Sequence, residues 1–501
     1  MDTRRRFLRG ILVLSAASFV FFSLEFLVEW NRLGRPDVTF VGKNDNVKMV
    51  DVLSPMARAY NNILAMLIAT VGLAIPLTAN MHTPKLIDMF LRDRVNRLML
   101  TFWALGAAHV LWVGYLIGPA FAPAWAYRLA VFGAMLGWVL VIPYFFYVVR
   151  FLDPSNILAR LQEQVQGVVK RECAGTADTD AAHDLIREEL RQIGTIVLKA
   201  IDRADRGVAA EGVWCLKCIL DHYRPLKTKM PPEWFRVERR DLVGLAEEAL
   251  ALLNEDRTWF EHQVLWQMYL AYQNALAKAP DTISVLSDAT RIIALRSAAA
   301  GDDKALELTI KIFNNFLREA IKRKDPHAIY DLLYQYRQLA CGLCDRPAVL
   351  ERIGRYLGNY AEYALASGAA FVPQFLAFDL GQIVLRAFEH DSPAAPTLLG
   401  ELLGLKHLAG VAPVPFVIKA KVIVGGSLLG AGRTAEAERV RANLADVPQE
   451  ALARAEHDLT TLDDPSFWEV TDRQVNFEWV PPERRPALQK FFALLRPRVT
   501  S

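Results

Sequence analysis

Cysteine is scarce in this chain, five in 501 residues, and none precedes residue 173. That rules out a disulfide-stapled fold, and the positions of Cys173, Cys215, Cys218, Cys341 and Cys344 suit a reducing compartment. A surplus of one charge is missing too. With 58 Lys+Arg against 55 Asp+Glu the formal net charge is +3, which leaves no domain-wide basic field for nucleic acid. Also lacking are H-E-x-x-H, G-x-S-x-G, G-x-G-x-x-G and a Gly-rich loop ending in Lys-Ser/Thr. The nearest approach to such a loop, Gly425-Gly426-Ser427-Leu428-Leu429-Gly430-Ala431-Gly432-Arg433, has no phosphate-binding lysine and reads as close helix packing. Nine histidines lie scattered without ligand spacing. Nothing here supports an enzyme, and no cofactor is implied.

Apolar residues are what the chain has in excess, 53% of the total, and they crowd into its first 150 positions. A helix crossing about 30 Å of hydrocarbon needs about 20 mostly apolar residues, since its backbone must satisfy itself away from water. Four runs qualify: residues 11–30, 60–80, 98–117 and 129–149. The first follows Arg4, Arg5, Arg6 and Arg9 as a signal peptide would, but its apolar run continues to Trp30 and no small-residue cleavage site follows. The expected organisation is a four-helix transmembrane domain, residues 1–152, followed by a helical domain, residues 153–501.

Lys and Arg near span ends set orientation. The N-terminal arginines place the N-terminus inside, residues 31–58 form an outer loop, and Lys85, Arg92, Arg94 and Arg97 fall inside again. Residues 118–127 carry no basic side chain, and Arg150 returns the chain to the cytoplasm. The expected location is a bacterial inner membrane with both termini cytoplasmic. Arg32, Arg35, Lys43, Lys48 and Arg58 in the outer loop run against this rule, so the inverted topology stays open. Pro76 and Pro143 interrupt the second and fourth spans.

Polar groups inside a span are costly and become functional candidates by default. His109 reads as a proton or ion relay, or as a partner in an interhelical hydrogen bond with a residue such as Thr70 or Tyr115. Glu25 and Glu29, four apart on one helix face, form a cation-attracting mouth in an oligomer or reach into headgroup water. Thr83-Pro84 opens an amphipathic helix over residues 84–97, with Leu86, Ile87, Phe90, Leu91, Val95 and Leu98 on one arc lying along the inner surface. Arg94 projects from that arc. With Arg92 and Arg97 it contacts lipid phosphate or couples to the C-terminal domain.

The run His82-Thr83-Pro84-Lys85-Leu86, with Phe90-Leu91-Arg92-Asp93-Arg94 and a long apolar span after it, resembles a family of uncharacterised bacterial predicted membrane proteins. In that family a Ser/Thr-Pro-basic-Leu run and an Arg-Asp-Arg link two membrane helices ahead of a soluble C-terminal region. The likeness covers residues 67–150, with an echo at Ala200-Ile201-Asp202-Arg203-Ala204. It implies the topology, and no activity or site residue comes with it.

After Asp153-Pro154-Ser155 apolar positions recur at intervals of three and four, and strands are scarce. Similar joints recur at Asp205-Arg206-Gly207, Gly301-Asp302-Asp303, Lys324-Asp325-Pro326 and Gly432-Arg433-Thr434. They predict an all-α, solenoid-like domain of HEAT or TPR character, with a single compact bundle as the alternative. Two aromatic, proline-containing stretches, one with Trp234 and Phe235 and one with Trp479, read as partner-docking sites or as loops anchored on the core. Arg224, Lys227, Lys229, Arg236, Arg239 and Arg240 form a basic cluster for lipid headgroups or solvent. Cys215 with Cys218 and Cys341 with Cys344 make two C-x-x-C pairs, a zinc site if they converge and small buried hydrophobes otherwise.

The leading expectation is a membrane-anchored scaffold or sensor whose helical domain binds a cytoplasmic protein partner. Its rival is a homo-oligomeric ion channel or transporter using Glu25, Glu29 and His109.

Overall fold

The computed structural model describes residues 45–496, apart from 82, 84, 119–122, 176–177, 239–245, 410–411, 467–472 and 474, together with Val20, Ser23, Leu24 and Leu27. The described residues are helical almost throughout. Their strands are β1 (Leu408–Ala409) and β2 (Ala412–Pro413), paired antiparallel, beside an isolated bridge between Ser466 and Val475. The chain divides into two compact units, residues 1–157 and 158–501.

The first unit contains α1 (Asp45–Met81), α2 (Lys85–Arg92), α3 (Arg94–Leu116) and α4 (Ala124–Leu152). Three stretches, Met49–Met81, Arg94–Leu116 and Ala124–Leu152, are long and apolar enough to cross a membrane. Their exterior is apolar as well as their core. Leu73, Val139 and Ile142 are 73%, 67% and 66% exposed, while the polar Thr83, Asn96 and His109 are buried. An apolar exterior that shelters the few polar side chains is what a hydrocarbon solvent selects, because there the unpaired polar group carries the cost.

Tyr60 is the pivot of this unit. It lies between α3 and α4 at positions where both present glycine: a Cβ on Gly106 or Gly137 would stand 2.6 or 2.5 Å from the Tyr60 ring or its hydroxyl. Small residues let helices approach closely where no hydrophobic effect drives them together. Trp103 completes the contact, donating its indole N–H to the Gly137 carbonyl at 3.3 Å and packing edge-on against Tyr144.

Two expectations change here. The segment expected as a loop over residues 31–58 is helical from Asp45 onward. Lys48, Asp51 and Arg58 end an apolar run without ending a helix, and 37 residues at about 1.5 Å each outreach the hydrocarbon. The amphipathic helix of residues 84–97 is broken at Asp93, whose extended backbone makes it the N-cap of α3, accepting from the Asn96 N–H at 3.0 Å. Asp93 also accepts from the Tyr147 hydroxyl of α4 at 2.8 Å.

The second unit begins within α5 (Pro154–Cys173) and continues through α6 (Thr179–Asp202), α7 (Arg206–Tyr223), α8 (Glu247–Asp256), α9 (Trp259–Lys278), α10 (Asp281–Ala299), α11 (Asp303–Arg323) and α12 (Pro326–Cys341). It ends with α13 (Pro347–Ala366), α14 (Val372–Glu389), α15 (Ala395–Gly404), α16 (Pro415–Gly430), α17 (Thr434–Asn443), α18 (Gln449–Thr461) and α19 (Arg485–Leu495). Consecutive helices pair as hairpins, α6 with α7, α9 with α10, α11 with α12 and α13 with α14. The second members α7, α10, α12 and α14 pack side by side as one layer that continues into α16, and the first members α6, α9, α11 and α13 form another that continues into α15.

Local chemistry sets the hairpin joints. Ala204, Gly301 and Lys324 each adopt a left-handed backbone, with φ of 56°, 73° and 53°. The next residue, Asp205, Asp302 or Asp325, returns its N–H to the carbonyl five positions back, on Ala200, Ser297 or Ala320, closing a Schellman motif. The same aspartate then caps the following helix, accepting from the N–H of Val208, Ala305 or Ala328 at 3.1–3.2 Å. One residue thus ends a helix with its backbone and starts the next with its side chain. Near the end of the unit, the Gly425 to Gly430 run packs against α19, where Phe491 and Ala487 leave no room for side chains.

Candidate functional site

The layer formed by α7, α10, α12 and α14 carries a groove of three confluent hollows. The first, 980 Å³, lies between α10 and α12 beside Trp214 of α7. The second, 680 Å³, reaches from α10 across α12 to α14. The third, 400 Å³, lies between α12, α14 and the segment holding Arg473, Trp479 and Arg484. Gln338 lines all three.

The groove follows from helical spacing. On α12, Asp331, Tyr334, Gln338 and Cys341 recur at three and four positions and form one stripe, while Leu332, Leu333, Tyr336 and Leu339 are buried between the layers. On α10 the stripe is Ser284, Asp288, Arg291 and Leu295, and on α14 it is Gln382, Leu385, Arg386 and Glu389.

Charge is distributed unevenly along it. The first hollow holds the carboxylates Asp281, Asp288 and Asp331. Arginines dominate the other two: Arg291, Arg337, Arg386, Arg473 and Arg484. Their carboxylate partners are fewer. Arg291 meets Asp288 at 2.5 Å and donates to Gln335 at 2.8 Å. Asp379 serves both Arg473, at 2.6 Å, and Arg337, at 3.4 Å. Glu389 serves both Arg386, at 3.3 Å, and Arg484, at 3.2 Å. The Arg473 guanidinium also stacks on aromatic rings, 4.2 Å from the Tyr330 centroid and 5.1 Å from that of Phe477.

Of the residues singled out in the sequence, Trp479 is half-buried in the third hollow. Trp234 and Phe235 are core residues, and the docking reading is corrected for both. Trp234 is 0% exposed, donates its indole N–H to the Tyr223 hydroxyl at 3.1 Å and packs on Trp259 at 5.0 Å. His183 reaches its carbonyl at 3.1 Å. A Trp whose N–H has a buried acceptor gains more inside than out. Within the basic cluster, Arg224 pairs with Asp221 at 3.0 Å, and Lys227 joins Glu261 at 2.6 Å and Asp302 at 2.7 Å. Burial opposes the charge on Lys227, yet Glu261 and Asp302 hold its pKa above the ordinary lysine value. The paired lysine is committed to the fold.

Among the other candidates, His109 is buried in α3, 7% exposed. Arg92, Arg94 and Arg97 are exposed, Arg92 paired with Asp88 at 3.0 Å and the other two in the first turn of α3. Arg94 opens α3 rather than continuing the helix that ends at Arg92. Glu25 and Glu29 lie outside the described residues. Cys215 donates to the Leu158 carbonyl at 3.7 Å, and Cys344 lies in the turn after α12, donating to the Cys341 carbonyl at 3.3 Å. Burial pushes the thiols of Cys215 and Cys341 up to about 12. Among the described residues no three His, Cys, Asp or Glu side chains are placed to hold a metal ion.

Sequence reasoning missed Arg337, Gln338, Gln382, Arg386 and Arg473, while Arg484 lies inside the Trp479 stretch it singled out. A polar stripe at helical spacing on α12 was its one available signal, since their convergence depends on tertiary packing.

The apolar exterior of the first unit and the helical second unit define an all-helical membrane protein. Residues 4–200 match the family described as Predicted membrane protein (DUF2254), which has no assigned function. The resemblance drawn from residues 67–150 lies inside that region. No curated protein matches the chain. Among solved structures it is similar to a "Circular tandem repeat protein with novel repeat topology and enhanced subunit contact surfaces", at 14% identity over 91% of this chain and 97% of that one, with a TM-score of 0.25. A superposition that loose carries no argument about this fold.

Proposed function

We propose that this protein is a membrane-anchored scaffold or sensor. Its helical domain, read as a solenoid of stacked hairpins, presents the groove centred on Gln338 to a protein partner in the cytoplasm. The topology this reading uses has four spans in a bacterial inner membrane, with residues 11–30 as the first and both termini cytoplasmic.

One observation carries it. Successive helices α10, α12 and α14 place hydrogen-bonding side chains along one continuous groove of the second unit. Stacked hairpins commonly bind a chain laid across several repeats, each repeat contributing a few side chains. The groove offers hydrogen-bonding and charged recognition groups.

The test is site-specific photo-crosslinking in living cells. A photoreactive residue replacing Gln338 should give a discrete adduct with a cytoplasmic protein, and the same residue at Lys311, exposed on α11, should not. The captured protein, once purified, should bind the wild type and lose affinity for Gln338→Leu. Equal or absent adducts at both positions, or protease digestion of the C-terminal domain from outside intact cells, would overturn the reading.

A further inference from the structure

The groove's charge bookkeeping specifies its occupant. Arg337, Arg386, Arg473 and Arg484 share two carboxylates, Asp379 and Glu389. Asp331 adds its field at Arg473, and positive charge is still left over on the other arginines. Four guanidiniums bring about twenty N–H donors to roughly eight carboxylate lone-pair sites. Arg473 is sealed, its side chain 2% exposed, and takes both oxygens of Asp379. The accessible unused donors belong to Arg337, Arg386 and Arg484, whose side chains are 19%, 50% and 41% exposed and line the second hollow. They run from the floor of the hollow to its rim.

Between them stand two neutral amides, Gln338 on α12 and Gln382 on α14, both lining the second and third hollows. Each offers a donor and an acceptor together, the complement of a peptide group. A phosphodiester group has no donor for the amide oxygens. The adjoining hollow holds Asp281, Asp288 and Asp331, of which Asp281 pairs with Arg206 and Asp288 with Arg291, each at 2.5 Å. Trp479 and Tyr334 add apolar surface beside the amides.

We propose that the groove takes an extended acidic peptide segment of a partner protein, with its carboxylates against Arg337, Arg386 and Arg484 and its backbone held by Gln338 and Gln382. This rests on the reading of the groove as a partner site.

Fluorescence anisotropy on the detergent-solubilised full chain tests it with three labelled peptides of equal length, Glu-rich, Gln-substituted and Lys-rich. The Glu-rich peptide should bind about tenfold tighter than the Gln-substituted one, and added salt should weaken it. The pair Arg386→Gln and Arg484→Gln should cost about tenfold in affinity, and Gln338→Leu several-fold, without shifting thermal unfolding. Unchanged binding by the arginine pair would overturn the proposal. So would displacement by inorganic phosphate or phosphatidylglycerol vesicles as effective as displacement by unlabelled peptide. Preference for the neutral or Lys-rich peptide, crosslinked at position 338, would refute the acidic occupant and keep the groove. Binding of none of the three would count against both.

Discussion

Arg473 donates to both carboxylate oxygens of Asp379, at 2.7 and 2.6 Å, in a site where each side chain is 2% exposed. The pair spans 94 residues and ties the C-terminal segment to α14 beside the groove. Removing one partner strands the other charge in a poor solvent for it, whereas removing both does not. Asp379→Ala should therefore cost about 3–5 kcal/mol in chemical denaturation of the detergent-solubilised protein. Asp379→Leu combined with Arg473→Met should cost less than either single change. A double variant as unstable as the sum of the singles would contradict this.

In the first unit the close fit of Tyr60 to Gly137 gives a second prediction. Gly137→Ala puts a methyl 2.5 Å from the tyrosine ring, so α1 and α4 must separate or the ring must leave its place. The expected cost is about 1–3 kcal/mol, read as a lower thermal midpoint in detergent. Tyr60→Leu should relieve part of it. The measurement is a double-mutant cycle, in which additive effects would rule out the contact as the cause.

Hairpin joints allow a change in the stabilising direction. Ala204 holds a left-handed backbone that costs an L-residue about 1 kcal/mol and glycine almost nothing. Ala204→Gly should raise stability by about 0.5–1 kcal/mol. Asp205→Ala should lower it by about 1 kcal/mol through loss of the α7 cap. Asp302→Ala should lower it further, because Asp302 both caps α11 and pairs with Lys227 at 2.7 Å. Denaturant midpoints of the three variants against wild type check the order.

These joints were legible in the sequence, and the groove was not. A Schellman turn followed by an aspartate cap is written within six residues, so Gly301-Asp302 and Lys324-Asp325 announce themselves. The three apolar helices beginning at Met49, Arg94 and Ala124 were readable because hydropathy is a property of composition. Their ends were harder, since charge at Lys48 and Asp51 changes the solvent a helix prefers without unwinding it. Arg92-Asp93-Arg94 was noticed as a motif, but the capping role of Asp93 depends on one backbone angle. Trp234 could not be placed by its neighbours in sequence, because Tyr223, Trp259 and His183 decide its burial. Gln338, Gln382 and Arg484 meet only through packing of α12, α14 and the C-terminal segment.

Stability of the helical domain should depend on pH through His262. Its ring stacks on Trp266 in α9, with centroids 6.0 Å apart, and its Nδ1 is buried without a hydrogen-bond partner. Burial lowers the imidazole from its ordinary 6.5 to about 4. The unfolded chain therefore takes up a proton between pH 6.5 and 4 that the folded chain refuses, so folding stability falls as pH drops through that window. The full shift corresponds to at most about 3 kcal/mol, reduced by the partial exposure of the ring. His262→Phe keeps the stack on Trp266 and removes the titration. Denaturant unfolding of the full-length protein at pH 7 and pH 4.5 should show wild type losing about 2 kcal/mol more than the variant. Carboxylates contribute acid lability to both proteins equally, so the difference isolates the imidazole. Equal losses in the two would mean that His262 is free to protonate in the folded state.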